Sequence, residues 1–160
     1  MDRLSSLLEF FKPKAHQVEL LRSNQQQISL PQGSSIAVMH RGRARISVDR
    51  QPDVSVQAGD LLWLNLPSHR QLHSDGDDFQ LLCCRLDFGP VSLNPLFDQL
   101  PSLIKIDHDD PSRHGLNPVI ELLLQESLEP HCGQETVINR LAEVLLVYVL
   151  RYIMRTQKVE

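Results

Sequence analysis

The stretch Gln57-Ala58-Gly59-Asp60-Leu61-Leu62-Trp63-Leu64 constrains the fold of this chain more than any other. Gly59 supplies the left-handed backbone conformation that a tight corner needs, and Asp60 can accept hydrogen bonds from the amides of its own turn. An apolar run starts directly after it, so turn and run together read as the corner of a small β-barrel that wraps a pocket. Farther on, Val137 to Met154 forms an apolar helix that a chain of 160 residues can hardly bury alone. A pocket and an association surface in one short chain point to a dimeric sensor.

The length leaves room for one domain, and 41% apolar with 22% charged residues is the balance of an ordinary folded protein. With a net charge of -4 and scattered Lys and Arg, the chain lacks the basic face that phosphate neutralisation requires. Direct nucleic-acid binding by this segment is therefore not expected. Met1 to Phe11 carries Asp2 and Glu9 where a signal peptide would have basic and apolar regions. The longest unbroken apolar run, Val144 to Leu150, is far short of the roughly 20 residues that cross a bilayer. A cytoplasmic location without membrane association is the expectation. Three cysteines, two of them adjacent, fit a reducing compartment and ordinary burial rather than a disulfide framework.

Leu4, Leu7, Leu8 and Phe11 fall on one stripe of a short helix that Pro13 stops, predicting an N-terminal helix over 1–12. From Val18 to Leu86 short runs alternate with turn residues, the pattern of an all-β region, and the barrel is assigned to 16–107. Ser35 to His40 and Arg43 to Val48 read as a hairpin closed at Arg41-Gly42. In its second strand Ala44, Ile46 and Val48 alternate with Arg43, Arg45 and Ser47. Phe79 to Phe88 is a long strand in which Leu82, Cys84, Leu86 and Phe88 share one side and Arg85 and Asp87 the other, so Cys83 and Cys84 point oppositely. A helical hairpin follows over 116–157. Asn117 caps its first helix ahead of Pro118, Pro130 and Gly133 separate the two, and the second runs from about Glu135 to Arg155.

Four pieces in this order and spacing carry a family likeness: Asp2-Arg3-Leu4-Ser5-Ser6-Leu7-Leu8, the strand-turn at Arg41-Gly42, Ala58-Gly59-Asp60-Leu61-Leu62, and Arg140-Leu141-Ala142-Glu143-Val144-Leu145-Leu146. With them the chain resembles the N-terminal cupin-like domain of AraC-type transcriptional regulators. The resemblance implies a mainly β fold with α elements: a cupin-like β-barrel (double-stranded β-helix), a short N-terminal helix and a C-terminal antiparallel helical hairpin. It further implies an effector-sensing and dimerisation domain that binds an unknown small-molecule effector in the barrel, forms a homodimer, and meets DNA only through a separate C-terminal domain with two helix-turn-helix units. Such a domain would occupy roughly 100 residues beyond Glu160, so a longer regulator is expected.

Enzymatic cupins resembling this fold hold a metal with two closely spaced histidines, a glutamate and a later histidine. Here His40 is alone, 41–56 contains no glutamate, and Ala37 and Arg70 stand where many members of the subgroup carry histidine. No metal, cofactor or catalytic residue is expected; the alternative is a small metal-dependent cupin enzyme of isomerase or dioxygenase type. The candidate ligand-binding residues are His40, Trp63, His69, Arg70 and His73, because a guanidinium with imidazoles suits an anionic effector. The competing readings are a solvated loop for His69, Arg70 and His73, and core filling for Trp63. His108-Asp109-Asp110 with His114 reads as a surface turn. In the last helix Leu141, Val144, Leu145, Tyr148 and Tyr152 follow one stripe while Leu146, Leu150 and Ile153 follow another. One barrel covers only one side, so Leu141, Leu145, Leu146, Tyr148, Leu150 and Ile153 are the candidate dimerisation residues, with the Pro118 to Leu128 helix as the other claimant on them.

Overall fold

Apolar alternation in the first two-thirds of the chain produces strands, and the way each strand alternates shows how many of its faces are covered. The computed structural model describes residues 5, 14–23, 27–30, 33–48, 52–66, 70–74, 78–87 and 103–156. Among them are strands β1 (Lys14–Ser23), β2 (Gln27–Leu30), β3 (Gly33–Arg41), β4 (Arg43–Val48), β5 (Val54–Gln57), β6 (Leu61–Leu66), β7 (Arg70–Ser74), β8 (Phe79–Asp87) and β9 (Leu103–Ile106). A 3-10 turn, Pro111–Arg113, leads to helices α1 (Leu116–Leu128) and α2 (Gln134–Thr156). The strands form two sheets, ordered β1-β8-β3-β6-β9 and β2-β7-β4-β5, with every pairing antiparallel. The fold is mainly β, two antiparallel sheets with two C-terminal helices.

The five-stranded sheet is buried on both faces. Ala37, Met39, Leu62, Leu64, Phe79 and Leu81 point to the four-stranded sheet and meet Ala44, Ile46, Val56 and Leu72. Their neighbours Ile36, Val38, Leu61, Trp63, Leu82 and Cys84 point the other way and pack under α1 and α2. Double burial is why 36–39, 61–64 and 81–84 are unbroken apolar runs. The four-stranded sheet has one buried face, so β4 alternates instead: Ala44 and Ile46 are buried while Arg43 and Arg45 are exposed.

Three sequence expectations meet corrections or limits here. Arg41-Gly42 does not close a hydrogen-bonded hairpin: β3 is paired on both edges, to β6 and β8, so the chain turns at Gly42 and enters the other sheet as β4. Asn117 does not cap α1. The helix starts two residues earlier, at Leu116 with Gly115 at its cap, and Asn117 Oδ1 accepts a hydrogen bond from Arg113 Nε at 2.9 Å instead. The N-terminal helix over 1–12 lies outside the described residues apart from Ser5, which is helical.

The corner at Gly42 tolerates no side chain. Its φ is +85°, and an added Cβ would stand 2.3 Å from Asp78 O. Gly42→Ala is expected to cost about 2–3 kcal/mol from left-handed strain plus overpacking, read as a lower urea midpoint.

Candidate functional site

The space between the sheets changes character along its length. Near the Gly42 corner it is apolar, with Met39, Ala44, Phe79 and Leu81. Toward the start of β3 it turns polar. Ser35 pairs in register with Arg85, and Cys83 pairs with both Ala37 and Glu19. Because Ala37, Leu81 and Leu21 belong to the inter-sheet layer, strand alternation puts Ser35, Cys83, Arg85 and Glu19 on that same inward face.

Ser35 is 2% exposed, and the group its Oγ has beside it is the Cys83 thiol, a weak sulfur partner. A buried hydroxyl left with so weak a partner costs up to roughly 1–3 kcal/mol, which a ligand acceptor can recover. Beside it, burial pushes the Cys83 thiol up to about 11; Ser35 and Arg85 oppose the rise and Glu19 adds to it. The thiol is therefore neutral at neutral pH and acts as a weak donor rather than a nucleophile. Glu19 and Arg85 are partly exposed, whereas Ser35 and Cys83 are buried, so charge lies toward the surface and neutral donors lie inside. The arrangement suits a small molecule that presents an acceptor or anionic oxygen to Ser35 Oγ and the Arg85 guanidinium.

Of the five residues singled out in the sequence, His40, Trp63 and His73 do not converge. Position 70 opens β7 and pairs with Leu30 and Val48. His73 is on the face of β7 opposite inward-facing Leu72 and partly buried. His40 lies at the Gly42 end of β3, where burial and then the Arg41 charge lower its pKa. Trp63 is fully buried in the layer between sheet and helices, facing away from the inter-sheet space. His69 lies outside the described residues. Among the described residues no group of three or more His, Cys, Asp or Glu gathers to hold a metal ion. Sequence reasoning misses Ser35 because a serine pair at the start of an apolar strand looks incidental until the register of Ser35 with Arg85 is known.

The helix residues are also redistributed. Leu145, Leu146, Leu150 and Ile153 are each at most 1% exposed, packed against the five-stranded sheet and α1 of the same chain. Their apolar surface is spent internally, since α1 and the sheet together cover more of α2 than one face. Leu141 and Tyr148 remain partly exposed and join Val137 and Val144, 41% and 44% exposed, in a surface stripe at helical spacing. Arg151 closes the stripe with its guanidinium 5.2 Å from the Tyr148 ring centre.

A polar strut joins the sheets to α2. Asp60, fully buried, accepts from Gln57 N at 2.9 Å within its own turn and from His108 N at 2.8 Å across the fold. Arg113 Nη1 donates to Asp107 O at 2.8 Å and Ile106 O at 3.2 Å. Asp110 accepts from the Ser112 amide and from the Tyr152 hydroxyl of α2. The Tyr152 bond, then the Ser112 bonds, hold the Asp110 carboxyl below its ordinary range, while burial, then the Asp110 bond, push the Tyr152 phenol up to about 12. A depressed acid stabilises the fold above its unfolded pKa and loses that contribution as pH falls through the folded value. A raised phenol stabilises below its unfolded pKa of 10.0 and loses the contribution as pH rises to about 12. Tyr152→Phe is expected to cost about 1 kcal/mol at neutral pH, discounted for the exposure of Asp110, and to flatten the alkaline fall in stability. Urea unfolding as a function of pH reads both effects.

The comparisons agree with this architecture. Residues 2–155 match a family model described as Cupin. By sequence, no curated protein matches the chain. Among solved structures, it is similar to ToxT from Vibrio cholerae strain SCE256 with an unsaturated fatty acid bound, at 15% identity and TM-score 0.54, covering 89% of this chain and 54% of ToxT. It is likewise similar to ToxT from Vibrio cholerae O395 bound to (E)-4-(8-methylnaphthalen-1-yl)but-3-enoic acid, at 11% identity and TM-score 0.52, covering 91% and 57%. The chain thus spans about half the length of the ToxT chains it matches. It resembles the N-terminal cupin-like domain of AraC-type regulators. With the matched model covering nearly its whole length, the chain belongs to the cupin family.

Proposed function

We propose that this chain is the effector-binding and dimerising part of an AraC-type transcriptional regulator, and that it is a binding domain rather than an enzyme. The observation that carries the reading is the buried Ser35 hydroxyl, which has only the weakly bonding Cys83 thiol beside it and stands in register with Arg85 on the face turned to the four-stranded sheet. The effector is a small molecule bearing a carboxylate or comparable anionic oxygen, held by Ser35 and Arg85 at the polar end, with Arg70 as the candidate that the sequence adds and with its apolar part toward Leu81 and Phe79. The ligands of the ToxT structures, a fatty acid and a substituted butenoic acid, support an acidic effector by analogy. Association runs along Val137, Leu141, Val144 and Tyr148, and promoter DNA is met by a separate domain. The site works in a reducing cytoplasm, where Cys83 and Cys84 stay thiols.

Thermal-shift screening with small carboxylates tests the site. At least one acid should raise the melting temperature, and Arg85→Ala or Arg70→Ala should weaken its binding by about 1.5–3 kcal/mol, the scale of a charge-assisted hydrogen bond. Zero shift across the panel, or binding unchanged in both variants, would overturn the assignment.

A further inference from the structure

A cavity lies between edge strand β1 and the corner where α1 hands over to α2. It measures about 410 Å³, within the range of small-ligand sites. Val18, Leu20 and Ile138 give it an aliphatic floor, Glu19 joins its lining, and among the described residues no Lys or Arg does.

Hydrogen bonds already made decide what the rim can offer. Gln134 Nε2 donates to Glu126 O at 2.8 Å and to Glu129 O at 3.0 Å, holding the end of α1. The function left to that amide is its carbonyl oxygen, an acceptor. The Ser127 hydroxyl donates to Leu123 O at 2.7 Å, leaving only lone pairs. Glu135, on the same rim, is a carboxylate acceptor, and Asn139 adds one amide of both kinds. The first turn of α2 would by itself favour an anion, but Glu135 stands in that turn and already answers the dipole. An acceptor-rich, negatively charged rim over an aliphatic floor matches a ligand with N–H donors, a positive charge and a methylene chain.

We infer that this cavity binds an aliphatic ammonium ion, a primary amine or diamine. Its methylenes lie along Val18, Leu20 and Ile138, and its three N–H donors meet Gln134 Oε1, Ser127 Oγ and the Glu135 carboxylate. A carboxylate is repelled there, and a neutral alcohol offers one donor and no charge. Occupancy ties β1 to the helical corner, independently of any effector between the sheets.

The test is titration of the ¹⁵N-labelled chain with hexylamine and 1,6-diaminohexane, with hexanol and hexanoate as neutral and anionic controls. The amines should move the amide signals of Val18, Leu20, Ser127, Gln134 and Ile138 saturably, and hexanol should bind about tenfold or more weakly. Glu135→Gln should weaken amine binding by about tenfold while lowering the melting temperature only slightly, through the loss of one exposed charge at the helix start. Arg85→Ala should leave amine binding intact, so failure of the inter-sheet assignment and failure of this one are separable. No saturable shift with either amine, equal binding of hexanol, or indifference to Glu135→Gln would overturn the inference.

Discussion

Leu146→Glu is expected to unfold the chain, whereas Val144→Glu is expected to leave it folded and monomeric. Leu146 is 0% exposed and sits among the five-stranded sheet, α1 and α2. A carboxylate there loses its hydration and gains no partner, and the leucine's packing is lost as well. Together these cost about 4 kcal/mol or more, a large share of a small domain's stability. Val144, two residues earlier in the chain and on the outer stripe, is 44% exposed. A glutamate at that position stays hydrated in the monomer and becomes costly only when a second chain covers it. Thermal melting separates the two variants by folding, and sedimentation at micromolar concentration reads the dimer. A cooperative wild-type-like melt for Leu146→Glu would contradict the packing described here. A Val144→Glu chain that dimerises like the wild type would remove the proposed association stripe.

Asp60→Ala is expected to cost about 2–4 kcal/mol, because it removes the buried acceptor of the part-buried Gln57 and His108 backbone amides, each at roughly 1–2 kcal/mol. The substitution acts at a distance as well. Asp60 fastens the β5–β6 corner to the turn that carries Asp110, and Asp110 in turn holds Tyr152 of α2. Asp60→Asn keeps one acceptor and should lose roughly half as much. Asp109→Ala, an exposed neighbour of the strut, should change stability by no more than about 0.5 kcal/mol. Urea unfolding of the three variants gives the comparison, and equal midpoints for Asp60→Ala and Asp109→Ala would show that the strut carries no stability.

Much of the fold was legible because local chemistry settles it. Gly59 and Asp60 make their corner from the turn's own amides, and Cys83 and Cys84 face opposite ways because a strand has period two. The two helices fall within a residue or two of the sequence expectation. What the sequence could not show is which layer claims each face. An apolar stripe at helical spacing has the same pattern whether a sheet or a second chain covers it, so Leu146 and Leu150 read as association residues although α1 and the sheet hold them. Trp63 reads as either pocket or packing for the same reason. Only register with Ile36 and the helix layer decides it. The site was less legible still, since Ser35 and Arg85 are far apart in sequence and meet only through the β3–β8 pairing. Arg113 escapes notice for a similar cause, as its buried guanidinium finds carbonyl partners that no spacing announces.

The central claim is that a small acidic effector enters between the sheets at the polar end. Its most direct measurement is a ¹H–¹⁵N and ¹H–¹³C spectrum of the chain titrated with a carboxylate that raises its melting temperature. The account predicts perturbations concentrated at Ser35, Ala37, Cys83 and Arg85, with intermolecular contacts from the ligand to those residues and none to Val144. Perturbations gathered instead on the helices or along the outer face of β4, with Ser35 and Arg85 silent, would contradict it.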